Sequence, residues 1–233
     1  MSIISSICVS IYPTYPMINI KSFVFGPFYE NTYLLYDETK DCIVIDPGCY
    51  SSTEKQELKD FINQNDLNVV GLYNTHCHID HVTGNAFIKN EYKVKLFAHV
   101  IEVPYLKSVE SYAQNYGIMH FEPSVIDEYI DEGDMIKFGN AHLEMLFVPG
   151  HSPGHLAFYN TDEKFIIGGD VLFNQSIGRT DLPGGNFETL INSIHEKFFN
   201  LEDGFIVYSG HGPTTSIGAE KKTNPFCAIS SSN

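Results

Sequence analysis

The run His76-Cys77-His78-Ile79-Asp80-His81 constrains this chain more than any other feature. It follows an apolar, strand-like stretch at residues 69–73. In an extended segment, residues two apart point the same way, so His76 and His78 can reach one metal ion together. Asp80 and His81 lie where the backbone must turn into the next helix, and can face a second ion. Imidazole and carboxylate suit zinc, iron or manganese, and no thiolate pair is offered. So short a segment cannot close a coordination sphere, and the fold must bring further ligands from elsewhere.

Three other pieces match in kind. His151 lies in Pro149-Gly150-His151-Ser152-Pro153-Gly154-His155, Asp170 ends Ile167-Gly168-Gly169-Asp170, and His211 lies in Ser209-Gly210-His211-Gly212-Pro213. Each follows a predicted strand. Each is flanked by glycine, which lets a backbone approach a ligand closely. Alone, any of them reads as a turn residue; together they read as one site.

Alternation predicts strands at residues 18–25 and 32–36, joined across Gly26-Pro27, and at 42–45, 69–73 and 94–98. Further strands are expected at 135–138, 142–148, 155–159, 165–168 and 205–208. Helical spacing marks 54–65, 83–90, 187–198 and most of 100–116. Two strand-rich halves, each with helices, suggest two sheets face to face with helices outside.

The ordered set HxHxDH, then His, Asp and His, resembles the signature of the metallo-β-lactamase-fold superfamily. It runs here as His76, His78, Asp80, His81, His151, Asp170 and His211, within a resemblance covering residues 17–226. Asp170 in place of a cysteine is unlike the zinc β-lactamases that use a thiolate there, and looks like the glyoxalase II (hydroxyacylglutathione hydrolase) branch. The segment Ser176-Ile177-Gly178-Arg179-Thr180-Asp181-Leu182-Pro183-Gly184-Gly185 is similar to that of short bacterial hydrolases of this branch, as is the ending from Gly210 to Phe226.

The resemblance implies an α+β fold, a four-layered αββα sandwich with the site at one edge of the sheets. It implies one metal held by His76, His78 and His151, another by Asp80, His81 and His211, and Asp170 bridging. Two zinc ions are expected, with iron or manganese able to take either position. The implied chemistry is hydrolysis of a thioester such as S-lactoylglutathione by a hydroxide shared between two metals, with Asp80 also orienting it. No protein nucleophile is required, and strand parity turns Cys77 away as a packing thiol.

Arg179 is a candidate grip for a substrate carboxylate through its bidentate fork. It can equally pair with Asp181 or Asp170 to shape its loop. Tyr208, Phe173 and Asn174 are candidates for the pocket wall. His155 is read as a core or supporting residue, and His99, His120, His142 and His195 as structural or exposed. No counterpart of the helical C-terminal domain of long glyoxalase II enzymes is expected after His211, which leaves the thioester open. A mononuclear iron persulfide dioxygenase is the main alternative, since its ligands would correspond to His76, His151 and Asp170. A lactonase or other ester hydrolase and a non-catalytic binding module are the others.

Fourteen Lys and Arg against 29 Asp and Glu leave a net charge of −15. That surplus disfavours nucleic acid and anionic membranes as partners, because both attract clustered cations. A small-molecule substrate is expected, and a monomer or homodimer. Cys8, Cys42, Cys49, Cys77 and Cys227 form no CxxC pair and are odd in number, which fits a reducing, cytoplasmic compartment. Residues 1–16 carry no charge and contain Pro13 and Pro16, so they read as an extension ahead of one domain over 17–233.

Overall fold

Strand alternation sorts the apolar side chains into three separate layers of core. The computed structural model describes residues 17–229; the extension expected over 1–16, with Cys8, lies outside the described residues. The first sheet contains β1 (Asn19–Phe25), β2 (Glu30–Tyr36), β3 (Asp41–Ile45), β4 (Asn68–Tyr73), β5 (Leu96–Ala98) and β6 (Glu128–Tyr129), in that order. The second contains β7 (Met135–Phe138), β8 (Ala141–Phe147), β9 (Leu156–Asn160) and β10 (Phe165–Gly169), continuing through β13 (Ile206–Ser209) and β14 (Thr215–Ser216). A small hairpin of β11 (Leu172–Phe173) and β12 (Ser176–Ile177) stands apart.

On β3, Ile43 and Ile45 join Tyr73, Phe138, Leu143, Phe158 and Ile167 between the two sheets. Its other face, Cys42 and Val44, packs under Leu58, Ile62, Ile88, Leu106 and Val109. Those five come from the helices α1 (Ser52–Gln64), α3 (Asn85–Tyr92) and α4 (Val103–Tyr112). On the second sheet, Ala157, Ile166 and Val207 face outward onto Leu190, Ile194 and Ile217 of α5 (Phe187–Glu196) and α6 (Ile217–Thr223). Three interleaved cores therefore make four layers, helix on sheet on sheet on helix. The αββα expectation holds.

Local signals explain where the elements start. Ser51 Oγ accepts the Glu54 N–H, and Glu54 Oε2 accepts the Ser51 N–H at 2.8 Å, a reciprocal cap that starts α1 ahead of the expected residue 54. Such a cap is worth about 1 kcal/mol. The helical span expected over 100–116 is broken into a 3₁₀ turn (Val100–Glu102), α4 and a second 3₁₀ turn (Ala113–Tyr116). Pro104, second in α4, has no N–H to give, and is tolerated only in a first turn. The segment after His78 forms the single turn α2 (Ile79–Val82) and then α3, the helix expected over 83–90, with the Gly84 N–H bonded to Pro47 O at 2.7 Å.

Strands β3, β4 and β5 run parallel, as do β10 and β13. Their C-terminal ends open on one edge of the sandwich. The segments after β3, β4, β8, β10 and β13 carry Asp46, His76 to His81, His151, Asp170 and His211. That edge is where parallel strands leave a crevice. Among the described residues no helix is long and apolar enough to cross a membrane.

Candidate metal centre

Three groups of lone-pair donors converge at this edge: Asp46 with His76 and His81, and two that match the expected ligand sets. His76, His78 and His151 place one ligand atom each within 4.8 Å of one another, and Asp80, His81 and His211 do the same. Asp170 lies between them: its Oδ2 is 3.4 Å from His151 Nε2 and 3.5 Å from His211 Nε2, and its Oδ1 is 3.5 Å from His81 Nε2. Asp80 Oδ2 sits 3.1 Å from His211 Nε2. All seven residues expected to form a site are thus brought together.

The buried atoms His76 Nε2, His81 Nε2 and Asp170 Oδ1 have no hydrogen-bond partner. An unpaired buried polar atom costs about 1–3 kcal/mol, so three close together call for partners. Cations bound at the two clusters would satisfy all three. His78 Nδ1 faces His151 Nε2 at 2.8 Å, an approach that suits two nitrogens directed at one ion. Burial, reinforced by His81 and the neighbouring imidazoles, lowers His76 well below its ordinary value, and burial lowers His78 to about 3. Both are neutral, as ligands must be. Burial would raise Asp170 and Asp80, but His81 and His211 outweigh it and hold both carboxyls low.

The second nitrogen of several rings is fixed by the scaffold, which orients the first. His151 Nδ1 donates to Arg179 O at 2.7 Å, and His211 Nδ1 donates to Phe28 O at 3.1 Å. His81 Nδ1 meets Asp46 Oδ2 at 3.1 Å, and His76 Nδ1 lies 3.0 Å from Thr75 Oγ1. Thr75 in turn gives its hydroxyl to Asp46 Oδ2 at 2.6 Å and its N–H to Asp46 Oδ1 at 2.7 Å. Asp46 therefore anchors both halves of the His76–His81 segment. In the sequence Asp46-Pro47-Gly48 reads only as a turn, and the one local signal for Asp46 is an aspartate closing a strand just ahead of a glycine.

His155 is fully buried and stacks on His76, a supporting residue as expected. Cys77 points into the helix-side core of the first sheet, where burial raises its thiol well above the ordinary value. His99 caps a 3₁₀ turn, and His120 is exposed. His195 Nε2 donates to Cys227 O, and none of these three approaches the centre.

A cleft of about 870 Å³ opens over the ligands. Phe28, Tyr112, Tyr116, Phe173, Ile177 and Leu182 supply its apolar wall, and Arg179 stands at the wall as well. The Arg179 fork is occupied: Nε and Nη2 donate to Asp181 at 2.7 and 2.8 Å, both side chains lying exposed. Of the two readings for Arg179, the loop-shaping pair is the one present. Tyr208 corrects an expectation. It packs between the sheets against Tyr33 and Phe165, with centroids 5.8 and 6.1 Å away, and does not line the cleft. The parity of β13 decides this, since Val207 faces the helices and Tyr208 the inter-sheet core. Asn174 is exposed at the hairpin tip and is also absent from the wall.

Known proteins resemble this chain in sequence and fold. The chain is 37% identical over 210 residues to the hydroxyacylglutathione hydrolase GloC of Haemophilus influenzae, covering 89% of this chain and 97% of that one. The crystal structure of the BLEG-1 B3 metallo-β-lactamase superposes with a TM-score of 0.83 at 31% identity, covering 91% of this chain and 100% of that one. A di-iron-bound structure of TTHA1623 gives 0.79 at 32%, covering 88% and 99%. The model of the metallo-β-lactamase superfamily matches residues 25–211, from the end of β1 to the last of the histidine ligand candidates. The chain belongs to the metallo-β-lactamase superfamily, as a metal-dependent hydrolase.

Proposed function

We propose that the protein hydrolyses thioesters such as S-lactoylglutathione, in the manner of the hydroxyacylglutathione hydrolases. The observation that carries this reading is the pair of three-residue donor clusters with Asp170 between them. His76, His78 and His151 would hold one ion, Asp80, His81 and His211 the other, with Asp170 reaching both. Two divalent cations there, zinc or in either position iron or manganese, would supply a water acidified towards neutral pH and positive charge for the carbonyl oxygen.

The chain's own residues do the rest. Asp80, held ionised, accepts a hydrogen bond from the attacking water and orients it. The apolar wall of the cleft offers contact to the apolar part of a substrate. Arg179 stands where it can receive a substrate carboxylate when Asp181 gives way. No side chain is needed as nucleophile, and Cys77, buried with its thiol raised, is not offered as one. The similarity to GloC supports the substrate class. Buried, unpaired Cys42, Cys49, Cys77 and Cys227 fit a reducing cytoplasmic setting. The acid surplus fits a small-molecule partner rather than nucleic acid or membrane, for a chain acting as monomer or homodimer.

Metal analysis of the purified protein followed by a panel of thioesters, lactones and β-lactams tests the reading. An ion in each cluster, with thioester hydrolysis lost in His78→Ala and Asp80→Ala, is expected. One iron per chain with oxygen uptake on glutathione persulfide would replace it with a dioxygenase. Hydrolysis of lactones or β-lactams without thioesters would move the substrate class.

A further inference from the structure

Glu102 belongs to neither donor cluster and sits in no motif. It ends the 3₁₀ turn before α4 and is fully buried. Its carboxylate reaches in two directions. Oε2 accepts the N–H of Cys77 at 2.8 Å, the peptide between His76 and His78. Oε1 accepts the Ser152 hydroxyl at 2.5 Å and the Gly154 N–H at 2.8 Å, on the loop that carries His151. The first loop follows β4 of one sheet and the second follows β8 of the other. One carboxylate thus ties together two ligand loops from opposite halves of the sandwich.

The tie is close-fitting. A Cβ on Gly154 would lie 2.8 Å from Glu102 Oε1 and 2.9 Å from its Cγ, so the loop can approach only because residue 154 is glycine. Two of the three donors are buried backbone N–H groups, which an apolar residue at 102 would leave without acceptors. The second cluster is held differently. Asp80 and His81 stand on α2 and His211 follows β13, with His81 braced by Asp46 and His211 by Phe28 O.

We infer that Glu102 is a positioning residue for the His76, His78 and His151 cluster, setting the separation of its two loops and so that cluster's affinity for its ion. The inference rests on the metal reading proposed above. It is selective, because the Asp80, His81 and His211 cluster does not share the tie. Glu102→Gln keeps the volume but turns an amide NH₂ against either the Cys77 or the Gly154 N–H, so one backbone donor loses its acceptor.

The test is a Zn²⁺ titration of the full, chelator-stripped chain against a competing dye, with Co²⁺ absorption as the spectroscopic readout. His78→Ala identifies which binding phase belongs to the first cluster. In Glu102→Gln that phase should weaken about 10–100-fold, as when a ligand's supporting contact is removed. The other phase should hold, and only one part of the Co²⁺ spectrum should change. Ser152→Ala, which deletes one donor of three, should move the same phase by a smaller factor in a chain that melts as the wild type does. Both phases unchanged, or both weakening together with a lowered melting temperature, would overturn the inference. Should Glu102→Gln fail to fold, the Ser152→Ala result decides alone: a selective shift supports the role and no shift overturns it. A wild-type chain that binds Zn²⁺ in neither cluster would sink the metal reading itself, and the inference with it.

Discussion

The backbone N–H of Asp170 donates to His155 Nε2 at 3.1 Å, and the same imidazole lies flat against His76 with ring centroids 4.6 Å apart. One buried ring therefore touches a member of the first donor cluster and the aspartate that lies between the two. Burial, with His151 beside it, lowers His155 well below its ordinary value. The neutral ring keeps a lone pair at Nε2 for Asp170 and carries its proton at Nδ1. A protonated ring could not accept there, so neutrality and placement are one property.

His155→Ala removes both the acceptor behind Asp170 and the plane that backs His76. Zn²⁺ affinity should fall about 10–100-fold, the loss expected when an outer contact of a ligand is deleted. Competition against a chelating dye measures it, with His142→Ala as a control that should match wild type. Unchanged affinity in His155→Ala would mean the ring only fills space.

The Arg179–Asp181 pair is exposed on both sides, so it contributes little to stability and its kinetic role can be read cleanly. If Arg179 serves substrate carboxylates, Asp181→Asn frees its fork. KM for an anionic thioester should then fall several-fold, whereas Arg179→Ala should raise it, with kcat little changed. A neutral thioester should respond to neither. Matching KM values across all three enzymes would leave Arg179 with the loop-shaping role alone.

The layers and the seven clustered residues were legible in the sequence because each rests on local pattern. Alternation on β3 and β9 shows which residues share a face, and His or Asp beside glycine at a strand end marks the site edge. Residues whose role is to hold other residues carry no such mark. Glu102 closes an unremarkable turn, and its three donors lie 25 to 52 residues away. Tyr208 failed as a wall residue for the converse reason: nearness in sequence to His211 says nothing about which side of β13 it faces. The short β11–β12 hairpin was missed because two-residue strands have no period to detect, and it is held by tertiary contacts such as the Gln175 N–H to Glu220 bond at 3.0 Å.

Gly150, beside the site, should resist replacement strongly. Its φ is +135°, a region L side chains rarely adopt, and an added Cβ would lie 2.3 Å from Leu190 N and 2.4 Å from Leu190 Cα. The obstacle is helix backbone, which cannot rotate away. Strain and overpacking together predict that Gly150→Ala destabilises by about 2–5 kcal/mol. Urea unfolding measures this. A loss under 1 kcal/mol, by the same principle, would show that α5 can shift to make room.

Protons compete with the ions unequally at the two clusters. Burial would lower His81, but Asp170 and Asp80 outweigh it and raise the imidazole well above its ordinary value; His211 is raised too, its burial offset by the hydrogen bond to Asp80 and the charge of Asp170. Raised groups hold protons to higher pH, and an ion entering the Asp80, His81 and His211 cluster must displace them. His76 and His78 are lowered, so their lone pairs stay free well into acid. Because these two rings take up protons at higher pH than an ordinary histidine, the second cluster should release its ion first as pH falls and the first cluster should keep its own. Zn²⁺ titrations at stepped pH should show two phases separating on the acid side, and calorimetry in buffers of different ionisation enthalpy should find proton release on filling the second cluster. Loss of the first-cluster ion at the higher pH, identified against His78→Ala, would reverse the assignment of which histidines carry the protons.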